Sequence, residues 1–199
     1  MANTTYICLF DLRAYDERIV PALGLYRDEY NPEGVVRLLR DVAGMLPELR
    51  REPERIPLGE EDYEHWIVAL EPDAGYKPSE QTMKDVQEML VPELCVPHGL
   101  GFNPMQNMEK LGPWLSERSK WFAGLEDGSE ELEGGELEFT FGSDNLIASQ
   151  QQIEKSLEEM RGIAPPAGPL SRDFENLRKL VEKAKSEPAY TLLRTSLSR

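Results

Sequence analysis

Thr4-Thr5-Tyr6-Ile7-Cys8-Leu9-Phe10-Asp11 is a short run of aromatic and apolar residues with polar residues at both ends. Such a run is typical of a strand that lies inside a sheet and is covered on both faces. Most other apolar residues of the chain recur at intervals of three or four, which indicates helices with one buried face. The sequence therefore predicts a helix-rich fold, α+β or α/β, in which a small sheet of about three strands packs with about six helices.

Two further strands are predicted, at residues 64–70 and 136–141. Residues 64–70 read Glu-His-Trp-Ile-Val-Ala-Leu, a compact apolar run that Glu71 and Pro72 bring to an end. Residues 136–141 read Glu-Leu-Glu-Phe-Thr-Phe, and this alternation of polar and apolar residues indicates a strand with one face in water. An antiparallel position at the edge of the sheet suits this last strand.

Four of the predicted helices begin at recognisable capping residues. They start at Asn31, Ser79, Ser143 and Ser171, whose side chains are good hydrogen-bond acceptors for the first turn of a helix. Two shorter helices are expected between the second and the third. Residues 12–31 carry no pattern that assigns them to a helix or a strand.

Proline and glycine predict the domain boundaries. Three prolines and two glycines lie within residues 162–170. This composition predicts a main domain over residues 1–162 with an acidic surface and a linker over residues 163–170. Residues 171–199 then form a carboxyl-terminal helix and tail that dock on the main domain, and the last dozen residues either dock or fray.

The chain is strongly acidic, with 37 acidic and 22 basic residues and a formal charge of −15. Such a surface repels phosphate backbones and anionic lipids, so neither nucleic acid nor a membrane is expected as a partner. No apolar stretch approaches the roughly 20 residues that span a bilayer. The first ten residues lack the pattern of a secretory signal, and two cysteines are too few for a disulfide framework, so a cytoplasmic protein is expected.

The acidic charge is unevenly distributed along the chain. Residues 1–160 hold 33 acidic and 14 basic side chains, whereas residues 161–199 hold 4 acidic and 8 basic ones. Either the basic end partly neutralises the acidic body, or the acidic body receives a cationic partner. The predicted partner-binding residues are two exposed acidic groups: Glu60, Glu61 and Asp62, and Glu130, Glu131 and Glu133.

Asp11 is a candidate catalytic residue because it ends a buried strand. The segment from Leu9 to Ala14 resembles the first motif of the haloacid dehalogenase-like hydrolases, where a strand delivers a nucleophilic aspartate and a second acid follows two residues later. Arg13 occupies the position of that second acid, and arginine cannot donate the proton that the acid supplies. The resemblance covers about four positions, so the family is not assigned.

Glu71 is the second catalytic candidate. If the strands at 4–11 and 64–70 are parallel neighbours, Asp11 and Glu71 both lie at carboxyl ends, where ligands bind in open α/β sheets. Two carboxylates at that edge have the chemistry to hold Mg²⁺.

His98 is the third catalytic candidate, and it follows Cys95 at the spacing of half a zinc site. A structural zinc site needs four ligands, but the chain offers one other cysteine and one other histidine, and these two do not form a second paired motif. The sequence therefore predicts no metal and no cofactor.

Two functional hypotheses remain. The chain has no Gly-rich phosphate loop, no zinc-protease motif and no serine-hydrolase motif. The first hypothesis is a non-enzymatic protein, inhibitor-like or immunity-like, that binds a protein partner with a basic surface. The alternative is a carboxylate-dependent or metal-dependent enzyme, similar to a hydrolase, with its site at the carboxyl ends of the strands.

Overall fold

The computed structural model describes residues 3–49, 59–71, 74–127 and 132–198. These residues contain a four-stranded antiparallel sheet in the order β2-β1-β4-β3. The strands are β1 (Asn3–Asp11), β2 (Met105–Asn107), β3 (Ser143–Ile147) and β4 (Tyr190–Ser198). The helix-rich α+β fold is thus confirmed, with four strands among the described residues instead of about three.

The helices follow one another as α1 (Leu12–Ala14), a π-helical turn (Tyr15–Ile19), α2 (Val20–Glu29), α3 (Glu33–Leu49), α4 (Glu60–Leu70), α5 (Glu80–Cys95), α6 (Leu111–Ser116), α7 (Lys120–Asp127), α8 (Gln150–Gly162) and α9 (Leu170–Ser186). The residues that carried no sequence pattern form α1, the π-helical turn and α2. Among the described residues, none of the helices combines the length and the hydropathy of a membrane span.

β1 is an inner strand of the sheet, as its sequence predicts. It pairs with β2 on one side and with β4 along its whole length on the other. Cys8, Leu9 and Phe10 are each 0% exposed. Because successive side chains of a strand point to opposite faces, three buried residues in a row mean that both faces are covered.

The carboxyl-terminal tail is the other inner strand. β4 lies between β1 and β3, and its neighbouring residues Leu192 and Leu193 are both buried. A strand in this position exchanges main-chain hydrogen bonds with both of its neighbours. Tyr190–Ser198 is therefore part of the sheet itself.

The capping residues at Asn31 and Ser79 start helices as predicted. The Asn31 carboxamide oxygen accepts the N–H of Glu33 at 3.0 Å, and the Ser79 hydroxyl caps α5. Ser143 does not cap a helix, because residues 143–147 form β3 and Ser149 caps α8 instead. Ser149 is followed by a glutamine at the third helical position, and this capping box is a stronger helix signal than the Ser-Asp-Asn at 143–145.

The predicted strand at residues 64–70 is wrong, since these residues belong to α4. Tyr63 and Leu70 are 1% exposed, Trp66 between them is half-buried, and Val68 is 69% exposed. Burial at these intervals is the pattern of one helix face. The apolar run includes residues on both the buried and the exposed face of this helix. For that reason its composition does not show the spacing of three to four residues that indicates a helix.

The predicted strand at residues 136–141 is also wrong, although its alternation of burial is correct. Leu137, Phe139 and Phe141 are buried. Within the described residues, however, this segment forms a single isolated β-bridge, between Glu136 and Leu146, and no strand. Any extended segment that lies over a core alternates in this way, and the pattern does not require a paired neighbour.

The chain divides into two compact units. We call residues 1–12, 99–137 and 142–199 the sheet unit, and residues 13–98 and 138–141 the helical unit. The segment predicted as a linker, residues 163–170, lies between α8 and α9 within the sheet unit.

Each unit has a buried core. In the sheet unit α9 packs on β1 and β4, and α8 packs on α9. Its core includes Ile7, Leu9, Trp121, Leu157, Phe174, Leu177 and Leu192. In the helical unit α3 packs against α2, α4 and α5. Its fully buried side chains include Leu23, Tyr26, Leu39, Tyr63, Val86 and Leu90.

Candidate functional site

The structure does not support the parallel-strand arrangement predicted for Asp11 and Glu71. Asp11 is the last residue of β1, partly exposed, and lies opposite Tyr190 of β4 in the antiparallel ladder. Glu71 follows α4 instead of a strand, and its carboxylate is hydrogen-bonded to the guanidinium of Arg40. Since every strand pairing among the described residues is antiparallel, the premise that placed both carboxylates at one sheet edge is wrong.

His98 lies beside Glu93 in the helical unit. Its Nε2 atom is 3.1 Å from the backbone oxygen of Glu93 and 3.8 Å from the carboxylate of the same residue. Cys95 is fully buried. Within the described ranges no three His, Cys, Asp or Glu side chains converge in a way that could hold a metal ion. The absence of a metal from the native protein stays a prediction.

The first predicted acidic group lies at the beginning of α4. Glu61 and Asp62 are exposed, while the side chain of Glu60 lies outside the described residues. One carboxylate oxygen of Asp62 accepts the N–H of Gly59 at 2.7 Å. Asp62 therefore stabilises the start of the helix, and its removal affects folding as well as charge.

The second predicted acidic group lies largely outside the described residues. This holds for Glu130 and Glu131. Glu133 is exposed, and its carboxylate accepts the hydroxyl proton of Ser149 at 3.1 Å. Its backbone N–H is bound by the side chain of Gln152, the residue that completes the capping box of α8.

The outer face of α4 was missed by the sequence prediction. Glu61, Glu64, His65 and Val68 are all exposed and follow one another at the spacing of a single helix face. Val68 is 69% exposed, one of the highest exposures of a large apolar side chain among the described residues. A helical reading of residues 60–70 would have revealed this face, because it is the face opposite to Tyr63.

Some carboxylates of the helical unit form ion pairs and others do not. Arg40 holds Glu71, and the Arg18 guanidinium lies 2.8 Å from Asp41. Glu61 and Glu64 make no ion pair with any described residue. Their charges are therefore available to a partner in solution.

Acidic charge is concentrated in the helical unit. Its sequence holds 20 acidic and 10 basic residues, a formal charge of −10. The sheet unit holds 17 acidic and 12 basic residues, a formal charge of −5. The helical unit thus produces the stronger negative field, and the outer face of α4 lies within it.

Among the described cations of this unit, Arg27 has the most carboxylate partners. Its guanidinium binds the carboxylate of Asp28 through two hydrogen bonds, at 2.6 and 2.7 Å, and also binds Glu138. The hydrogen bonds to Asp28 and then to Glu138 raise the pKa of Arg27, and the hydrogen bonds that Asp28 accepts from Arg27 lower the pKa of Asp28. Arg27 also lies over the ring of Phe139, 5.3 Å from its centroid.

Comparison with known proteins gave no match for this chain among family models, curated proteins or solved structures.

Proposed function

We propose that this protein is non-catalytic and acts by binding a protein partner with a basic surface, as an inhibitor or an immunity protein does. The outer face of α4 is the observation that carries the proposal. There Glu61 and Glu64, which form no ion pair with described residues, precede the exposed Val68 on one face of the helix.

This face has the composition of an interface between charged proteins. An apolar side chain surrounded by polar ones matches the centre and rim of a protein–protein contact. Exposing Val68 to water is unfavourable, by about 25 cal/mol for each Å² of apolar surface, and a partner that covers it recovers this free energy. Lysine or arginine on the partner supplies the complementary charge for Glu61 and Glu64.

The net charge of −10 on the helical unit leads us to expect an effect on the association rate as well. A strong field of one sign accelerates the encounter with an oppositely charged protein by about 10- to 1000-fold, and salt reduces this acceleration. The binding partner is therefore expected to associate quickly at low ionic strength.

The alternative function, a carboxylate-dependent or metal-dependent enzyme, has lost its main argument. It required Asp11 and Glu71 at the ends of parallel strands, and the antiparallel sheet and the helical residues 60–70 remove that arrangement. Binding is the function that the geometry supports best.

The test begins with capture of the partner from the native host at low salt, and then measures association with the purified partner. The informative variant is the double substitution Glu61→Gln and Glu64→Gln. Glu136→Gln with Glu158→Gln is the matched control, since both residues are exposed, belong to the sheet unit and carry the same total charge. Asp62 is left unchanged because it caps α4.

We expect the α4 double variant to lower the association rate several-fold at low salt and the control to change it much less. Val68→Ser should mainly raise the dissociation rate. Equal association rates for the α4 variant and the control, or rates that do not depend on salt, would overturn the proposal.

A further inference from the structure

A cavity of about 330 Å³ lies in the helical unit, and both apolar and cationic side chains line it. Phe139 and Met83 are buried residues in its wall, 2% and 9% exposed, and Pro78 lies beside them. Lys77 and Lys84 contribute the ammonium groups. Binding sites for small molecules are typically about 300–1,000 Å³ in volume, and this cavity, which is open to solvent, lies at the lower end of that range.

The side chains that line the cavity carry three positive and two negative charges, namely Arg27, Lys77 and Lys84 against Glu80 and Glu138. Arg27 is bound to the carboxylates of both Glu138 and Asp28, so the two lysines are the cations that remain for a ligand.

Neither lysine is tightly bound to a carboxylate. The nearest carboxylate oxygen to Lys84 in an ion pair belongs to Glu88, at 3.8 Å, which is a long contact. Lys77 makes no ion pair with any described residue. These two are the only lysines in the sequence of the helical unit, whose other cations are all arginines. Both of them line the same cavity in a unit that is otherwise strongly acidic.

The residues behind the accessible surface of the cavity are fixed in place by their own contacts. The Phe139 N–H donates to the hydroxyl oxygen of Tyr15 at 2.8 Å, and the Arg27 guanidinium lies over the Phe139 ring. The Glu138 carboxylate is bound to Arg27. A wall that is already ordered costs less conformational entropy when a ligand binds.

We propose that this cavity binds a small carboxylic acid with an apolar body, such as an aryl or a branched aliphatic acid. The carboxylate is placed near Lys77 and Lys84, and the apolar body lies against Met83 and the half-buried Pro78. This ligand site goes beyond the proposed protein–protein interaction and stands independently of it, because it uses none of the residues on the outer face of α4.

The test uses phenylacetate as the probe, followed by the shifts of backbone amide signals in two-dimensional NMR of the full chain. Phenylacetamide has the same shape without the charge, and inorganic phosphate has the charge without the apolar body. We expect saturable binding of phenylacetate, with a dissociation constant on the order of 0.1–1 mM, and at least about fivefold weaker binding of the amide. Phosphate is expected not to saturate the site.

Two double variants make the test specific to this cavity. Lys77→Gln with Lys84→Gln should weaken phenylacetate binding at least about fivefold, a change that removing two cations from a carboxylate site readily produces. Lys110→Gln with Lys120→Gln is the control, since these lysines are exposed and belong to the sheet unit. All four side chains are exposed, so both proteins are expected to fold.

Three results would overturn the proposal. The first is the absence of any saturable response to phenylacetate up to about 20 mM, which is weaker than any useful site of this size. The second is equal binding of phenylacetate and phenylacetamide, or of phenylacetate and phosphate. The third is phenylacetate binding that the Lys77 and Lys84 double variant retains in full.

Discussion

The hydroxyl oxygen of Tyr15 accepts a hydrogen bond from the backbone N–H of Phe139 at 2.8 Å, across 124 residues of sequence. Tyr15 lies in the π-helical turn, and Phe139 lies in the short segment 138–141 that belongs to the helical unit. Both residues are buried, at 5% and 2% exposure. Phe139 belongs to none of the four strands in the described part of the chain, so this side-chain acceptor replaces the ladder that would otherwise satisfy its N–H.

Substitution of Tyr15 by phenylalanine tests that role. The ring stays in the core, but the buried N–H of Phe139 loses its acceptor, and we expect a loss of about 1–3 kcal/mol in the free energy of unfolding. Tyr76→Phe is the control, because the Tyr76 side chain is 70% exposed. It should change the free energy of unfolding by less than about 0.5 kcal/mol. Urea denaturation measures both, and equal stabilities of the two variants would contradict the assignment.

Stability at alkaline pH should depend on the same residue. Burial raises the pKa of Tyr15 above its ordinary value of 10.0, and the hydrogen bonds from Phe139 and Glu138 counteract this only in part. Burial, and then the charges of Asp11 and Glu187, also raise the pKa of Tyr190 above 10.0. Below pH 10 these tyrosines are neutral in the folded and the unfolded chain, so they contribute no pH dependence there.

Above pH 10 the unfolded chain loses the tyrosine protons first. The folded state then binds more protons than the unfolded state, so the free energy of unfolding falls as the pH rises through the raised pKa values. We expect this decline to be shallower in Tyr15→Phe than in the unsubstituted protein, with the remainder due to Tyr190 and other groups. Urea denaturation between about pH 8 and pH 11.5 measures the slopes. Parallel slopes would show that Tyr15 titrates normally.

The accuracy of the sequence prediction depended on whether a pattern had one structural meaning. Three consecutive buried residues in β1 and the caps at Asn31 and Ser79 were interpreted correctly, because each reports a local preference. The run at 64–70 was ambiguous between a strand and a helix, as short apolar runs are. In the structure these residues belong to α4, which packs against α3 as a helix.

The candidate sites were harder to predict because they combine residues that are distant in sequence. The acidic character of α4 was visible, but the outer face with Glu64 and Val68 required its helical state to be known. The cavity joins Arg27, Lys77 and Phe139, and no spacing rule relates such positions. Only the tertiary structure brings them together.

Gly142 is a position where a side chain cannot be accommodated. Its φ of +73° lies in the left-handed region, and a Cβ atom would lie 2.5 Å from the backbone oxygen of Ser196. Gly142→Ala should therefore cost more than about 2 kcal/mol, through backbone strain together with the clash against β4. Urea denaturation of the purified variant gives this value directly.

Gly44→Ala is the matched control for that substitution. Gly44 lies within α3, is exposed, and a Cβ atom there would have no heavy atom within 4 Å. Alanine should stabilise the helix by about 0.5–1 kcal/mol, because it has less freedom to lose on folding than glycine. If both alanine variants destabilise the protein alike, the left-handed geometry at Gly142 is not the cause.

The start of α7 in the sheet unit is stabilised by a carboxylate from α8. Glu159 accepts a hydrogen bond from the Ser119 hydroxyl and another from the Trp121 N–H, at 3.2 Å. The Ser119 oxygen in turn accepts the N–H of Phe122 at 3.0 Å. Two free N–H groups of the first turn are thus satisfied, and a negative charge lies at the positive end of the helix.

Glu159→Ala should cost about 1–3 kcal/mol in the free energy of unfolding, because it leaves a partly buried N–H and a hydroxyl without their acceptor. Glu159→Gln keeps an acceptor and removes the charge, so its cost should be smaller, about 0.5–1 kcal/mol. Glu158→Ala, on the exposed neighbour, should stay within about 0.5 kcal/mol.

A double-mutant cycle separates this shared cap from two independent contacts. Ser119→Ala alone removes the hydroxyl that joins Glu159 to the Phe122 N–H, at a cost of about 1 kcal/mol. Once the serine is absent, Glu159→Ala has less left to break, so the two costs should overlap by about 0.5 kcal/mol or more. Strictly additive costs, measured by urea denaturation of both single variants and the double variant, would mean that Ser119 and Glu159 act separately and that the carboxylate does not depend on the hydroxyl to cap α7.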